Sequence, residues 1–132
     1  ALLNAIMKSI IDQNLIDEKF INQRTTDFDD LKSHLDDFTP EKMSSICGID
    51  ASVIHEVARI YASSSASIIF WGMGVSQHIH GTDNARALIS LALMTGRLLL
   101  SAAFGVKVSS FTPTSTSPPS FRAFDGSIEP DN

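Results

Sequence analysis

A chain of 132 residues, 43% apolar and 19% charged, has the make-up of an ordinary soluble domain and is long enough for one modest core. A formal net charge of −5 with no basic run argues against a nucleic-acid footprint, and no apolar run reaches the roughly 20 residues that span a bilayer. The single cysteine, Cys47, can form neither an internal disulfide nor, by itself, a metal site.

Leu2, Leu3, Ile6, Met7, Ile10 and Ile11 recur at helical spacing, with Asn4, Lys8 and Asp12 opposite, and predict an amphipathic helix ending near Asn14. The stretch Ala1 to Ile11 lacks the basic start and cleavage region of a secretory leader, and the compartment stays open. Asp17 is placed to cap a second short helix carrying Phe20 and Ile21. Thr25 or Thr26 is expected to open a third, with Phe28, Leu31, Leu35 and Phe38 facing inward. Its acids, Asp27, Asp29, Asp30, Asp36 and Asp37, read as a solvated face rather than a catalytic pair. Thr39-Pro40-Glu41 sets a capping residue before a proline at the first helical position, and Gly48 ends that helix. Asp50 is expected to cap the next, whose stripe is Val53, Ile54, Val57, Ile60 and Tyr61. His34 and His55 fall on helices and read as half-exposed, and Cys47 as a small buried hydrophobe.

Ser63-Ser64-Ser65 then releases the chain into Ser67 to Trp71, a short β-branched and aromatic run of the kind buried in a parallel sheet. It breaks on Gly72-Met73-Gly74. Ala85, Leu88, Leu91, Ala92 and Met94 form a helical stripe beyond, with Thr82 or Asp83 as its expected cap. Strand, glycine loop and helix make half of an α/β unit, and ligands of open α/β sheets bind beyond the carboxyl ends of strands. After Gly96 the character changes to Leu98-Leu99-Leu100 and a Ser/Thr/Pro-rich tail, expected to be mostly irregular with a strand conceivable at Val106 to Phe111.

The glycine pair invites the dinucleotide-binding fingerprint, but the third glycine would fall where Gln77 stands and the helix begins late. The gap of about ten residues exceeds the usual two to six of a strand-to-helix turn, and long loops at such positions often carry function. Two readings stay open: the loop contacts a ligand, or Met73 packs inward and the glycines only turn the chain. His78 and His80, two apart with no carboxylate or thiol at ligand spacing, do not make a metal pair, and Ser76 lacks the Gly-x-Ser-x-Gly setting of a hydrolase nucleophile.

Several blocks stand in order: Ala1-Leu2-Leu3-Asn4-Ala5, Ile21-Asn22-Gln23-Arg24-Thr25, Thr39-Pro40-Glu41 and Ala58-Arg59-Ile60-Tyr61-Ala62. They are followed by Trp71-Gly72-Met73-Gly74-Val75-Ser76-Gln77-His78, then Gly81-Thr82-Asp83-Asn84-Ala85. Together they resemble the catalytic subunit of molybdenum- or tungsten-dependent formate dehydrogenases, in the molybdopterin oxidoreductase superfamily. The resemblance runs from Ala1 to about Gly96.

What it implies is an α/β chain, a helix-rich fragment of a parallel-sheet, Rossmann-like cofactor-binding domain. Residues 1–97 would be part of that domain and 98–132 a divergent tail, ascribed to a frameshift, a truncation or a fused end. The implied cofactor is a bis(molybdopterin guanine dinucleotide) Mo or W centre, with Gly72, Met73, Gly74 and Gln77 as the contacting residues. The family's cysteine cluster for a 4Fe-4S centre has no counterpart here, and Cys47 precedes Gly48 rather than a histidine. The implied partners are the rest of the catalytic subunit and an iron–sulfur electron-transfer subunit, with formate oxidation to carbon dioxide as the parent reaction and no activity in this chain alone. The rivals are another molybdopterin oxidoreductase, of nitrate reductase type, and a cofactor-free helical interaction domain.

Overall fold

Helix α1 (Leu2–Asp12) is the element on which the others converge, because its apolar residues occupy more than one face. In the computed structural model, which describes residues 1–77, 79–96 and the backbone of 122–123, α1 packs against four later helices. These are α3 (Phe28–Leu35), α4 (Pro40–Cys47), α5 (Ala51–Ser63) and α7 (Gly81–Met94); α2 (Glu18–Arg24) lies on α7. Met7, Ile10, Leu35, Ile54, Leu93 and Met94 are fully buried at the centre. Fully burying each such side chain contributes about 1.5–3 kcal/mol. Ala5 on α1 and Ala58 on α5 are also fully buried, and their small side chains let the two backbones approach.

The helix ends follow from local chemistry. Behind α1, Asn14 takes a left-handed φ of 54°, and the Asn14 and Leu15 amides donate to Ile11 and Ile10 carbonyls, the paired bonds of a Schellman cap. The Asp17 carboxylate accepts the Phe20 amide at 2.9 Å, as expected of a cap. Thr39 accepts the Lys42 amide ahead of Pro40, and Gly48 closes α4 at φ 68°. Two expected caps are replaced. Asp50 stands at the cap position of α5 without a side-chain bond. Thr25 does not open α3; its hydroxyl donates back to the Ile21 carbonyl at 2.6 Å, and α3 begins after Asp27, held at φ 64°.

The chain is helix-rich as expected, while the expected parallel sheet is not shown. No parallel pair occurs among the described residues: the sheet is two-stranded and antiparallel, β1 (Thr25–Thr26) on β2 (Arg122–Ala123), with Thr25 opposite Ala123. Ser67 to Trp71 forms no strand. Ile69 packs on the core, while Ile68 is exposed and Phe70 is 79% exposed, so one side of the run is covered rather than both. A parallel strand exists only through neighbours bonded along its edges, and the described chain supplies none. Beyond it, the expected open loop contains a four-residue helix, α6 (Met73–Ser76). Helix α7 begins at Gly81 behind His80, without a cap from Thr82 or Asp83; Asp83 instead pairs with Arg86 at 3.4 Å. The expected irregular tail and the strand considered at Val106 to Phe111 lie outside the described residues, apart from the β2 backbone.

Candidate cofactor-facing loop

Residues Gly72 to Gln77 are held against the start of α7 by an Asn84 side-chain bond and a close backbone approach at Gly81. Asn84 on α7 donates its side-chain amide to the Val75 carbonyl at 3.3 Å, and the Ser76 hydroxyl donates to the Gly72 carbonyl at 3.3 Å. Gly81 is buried, and a Cβ there would collide with the Ser76 carbonyl. Close approach of two backbones therefore fixes α6 to α7, and only glycine permits it.

Gly72 and Gly74 differ in kind. Neither has a positive φ, and a Cβ on either would meet nothing within 4 Å. Nothing within the described chain requires glycine at these two positions, although glycine inside a helix is less stable than alanine by roughly 0.5–1 kcal/mol. Met73, 69% exposed, and Gln77, also exposed, lie alongside. The four residues singled out in the sequence therefore share one short, outward-facing element. His78 falls outside the described residues, and no group of three or more metal-ligating side chains occurs among those described. No helix among them is long and apolar enough to cross a membrane.

A groove of about 480 Å³ lies elsewhere, where α1, α5 and α7 end; its lining includes Asn14, Asp17, Glu18, Ala62 and Thr95. Asp17 ties this junction together, its amide donating to the Met94 carbonyl at 2.9 Å. Gly96 sits at φ 68°, in the left-handed region that favours glycine, and a Cβ there would crowd the Asp17 carboxylate at 2.5 Å.

A polar cluster that the sequence reading missed lies between α1, α4 and α5. The Gln13 side-chain nitrogen lies 2.8 Å from Ser9 Oγ and 3.2 Å from the His55 carbonyl. Both atoms can accept, so the amide donates to both. Ser9 Oγ then turns its own proton to His55 Nδ1 at 2.7 Å, leaving Nε2–H to donate to Glu41 Oε1 at 3.0 Å. The Glu41 carboxyl is held below its ordinary value of 4.5, first by this bond from His55. The Ser–His–Glu order resembles a hydrolase array, but Ser9 is fully buried and both ring nitrogens are engaged. The cluster is a clasp between helices. Its signal in the sequence was Ser9 itself, a polar residue one turn from Ala5 on an apolar face, which burial obliges to find a partner.

No protein-family model matches the chain. Over 98 residues, 74% of its length, it is 45% identical to a formate dehydrogenase alpha subunit of Methanocaldococcus jannaschii, covering 15% of that protein. It is 43% identical over 98 residues to formate dehydrogenase H of Escherichia coli and 36% over 97 to a nitrate reductase of Synechocystis, covering 14% of each. Among solved structures, acetylene hydratase from Pelobacter acetylenicus superposes with a TM-score of 0.70 at 25% identity, over 73% of this chain and 13% of that one. The chain thus spans about one seventh of the length of the relatives it matches. Sequence and fold agree, and over that segment the chain is a homologue of formate dehydrogenase alpha subunits and of a nitrate reductase, a fragment of molybdopterin oxidoreductase type.

Proposed function

We propose that this segment works within a formate dehydrogenase catalytic subunit, where Gly72, Met73, Gly74 and Gln77 form one wall of the site for a bis(molybdopterin guanine dinucleotide) Mo or W centre. The observation that carries this is the open space over Gly72 and Gly74, which leaves two stretches of bare backbone facing outward beside an exposed amide. Such a surface fits a large polar ligand: the backbone can approach closely, and Gln77 can both donate and accept. The bound group would supply two-electron chemistry for oxidising formate to carbon dioxide. The part of this chain is to hold and orient it, and an iron–sulfur subunit would take the electrons. The chain alone is assigned no catalytic residue and no formate-oxidising activity.

The reading is tested in a chimera, a full-length formate dehydrogenase whose matched segment is replaced by residues 1–96 of this chain. Gly74→Val and Gln77→Leu are expected to lower pterin and metal content, while His34→Ala on α3 leaves both unchanged. Loss of the Gln77 amide should weaken retention by about 1–3 kcal/mol where its partner is buried. Cofactor content at the His34→Ala level in all three would reduce the loop to a structural turn. That result would favour a cofactor-free interaction domain, the reading to which the exposure of Met73 and Gln77 otherwise lends weight. Activity of the chimera with nitrate rather than formate would move the segment to the nitrate reductase type, at 36% identity its rival.

A further inference from the structure

Helix α5 is apolar on two adjacent stripes, and among the described residues only one of them is packed. At about 100° per residue, Ile54, Ala58 and Tyr61 fall on one stripe and Val53, Val57 and Ile60 on the next. Ile54 and Ala58 are buried, and Tyr61 packs against the same core. Val53, Val57 and Ile60 are 46%, 44% and 58% exposed. Apart from His55, which the clasp with Ser9 and Glu41 engages, the polar residues of α5 fall on the remaining ridge of Ser52, Glu56, Arg59 and Ser63, all exposed. A helix facing water on one side of a finished core carries a single apolar stripe; two stripes beside one polar ridge mark a helix with packing on two sides.

We propose that the Val53–Val57–Ile60 stripe is an internal packing face covered by the part of the catalytic subunit outside the matched segment, an inference that rests on the functional reading above. Two observations choose this occupant over a second copy of the chain. The chain corresponds to only 14–15% of its relatives, so most of a relative's polypeptide lies beyond it. The stripe also offers only on the order of a few hundred Å² of apolar surface, against about 800 Å² per partner in a stable pair. It is too narrow to hold a dimer and suits one edge of a larger continuous core. The occupant is therefore an aliphatic surface of that subunit, one presenting no charge to α5, since an unpaired charge buried there would be expelled.

Lysine is a good helix former, so Val57→Lys and Ile60→Lys disturb the stripe without breaking the helix. In the 132-residue chain alone both variants should keep the parent's helical signal and melting midpoint. In the full-length chimera each should lower the melting midpoint by several degrees or prevent soluble accumulation. If a lysine chimera does not accumulate, Val57→Ala gives a readable, smaller fall. Arg59→Ser on the polar ridge should change neither protein. A chimera that melts like its parent with both lysines in place overturns the proposal. If the isolated chain is at the same time a dimer that Val57→Lys splits in sedimentation, the stripe belongs to a second copy. The cofactor reading fails separately: Gly74→Val would then leave pterin content intact, whatever the lysines do to melting.

Discussion

A Cβ on Gly81 would fall on the Ser76 carbonyl and one on Gly96 against the Asp17 carboxylate, whereas Gly72 and Gly74 look onto open space. Opposite responses to the same substitution follow. Gly81→Ala pushes backbone against backbone and should destabilise the isolated chain by about 1–3 kcal/mol, as overpacking does. Gly74→Ala should stabilise it by up to about 1 kcal/mol, because it removes unfolded-state freedom at no steric cost. Denaturant midpoints of the two variants measure this directly, and a loss of stability in Gly74→Ala would reveal an internal need for that glycine. Gly72 and Gly74 read in the sequence as turn residues, Gly96 as the point where the chain changes character, and Gly81 only as part of the family block. What separates them was not visible there, because the crowding atoms of Gly81 and Gly96 come from residues five positions away and from another helix.

At the scale of elements, helix positions and most of their ends were legible because amphipathic spacing and caps are local properties. Thr39-Pro40 and Gly48 bound α4 as expected. The α5 stripe was only half legible: Val53, Ile54, Val57 and Ile60 read as one inward face, and the fold divides them between two. Which part of a broad apolar face meets the core is decided by neighbouring elements. The clasp joining α1, α4 and α5 was likewise invisible, since Ser9 and His55 stand 46 positions apart. Its pH dependence has a definite sign. The folded-state carboxyl of Glu41 is lowered from 4.5, chiefly by the His55 hydrogen bond, so its contribution is present above the unfolded value and disappears as pH falls through the folded one. At the alkaline end, Lys8 joins α1 to the end of α3, lying 2.8 Å from Asp12 and 3.2 Å from Asp36. Hydrogen bonding to Asp12, opposed by burial and aided by Asp36, raises its ammonium above 10.5. That contribution is complete below the unfolded value and disappears as pH rises through the folded one. Urea midpoints should therefore show the difference between the parent and Glu41→Gln vanishing only below about pH 4.5, and that between the parent and Lys8→Met vanishing only above about pH 10.5. Differences that stay constant across both limits would place these contacts outside the stability of the fold.

For the molecule as a whole, the described helical core closes around α1, while much of the Ser67 to Gln77 side is exposed. Phe70, Met73 and Ile79 are largely exposed, with Trp71 and Ile68 beside them in sequence. The sequence marked this run as a buried strand because its composition is that of one. Composition records the surroundings in which a segment is normally packed, and those surroundings are not among the described residues. The contrast between core and run sets the expected behaviour of the isolated chain. Domains retain only about 0.05–0.15 kcal/mol of stability per residue, and exposed aromatic and aliphatic side chains drive association. The purified chain should show helical circular dichroism, yet its melting transition should be broad and should shift with protein concentration as molecules associate through this side. Phe70→Ser and Met73→Ser together should remove the concentration dependence while leaving helix content unchanged, since neither side chain belongs to the buried core. A sharp, reversible transition independent of concentration in the parent chain would mean that the run is satisfied within one molecule. The expectation of a missing neighbour would then fail.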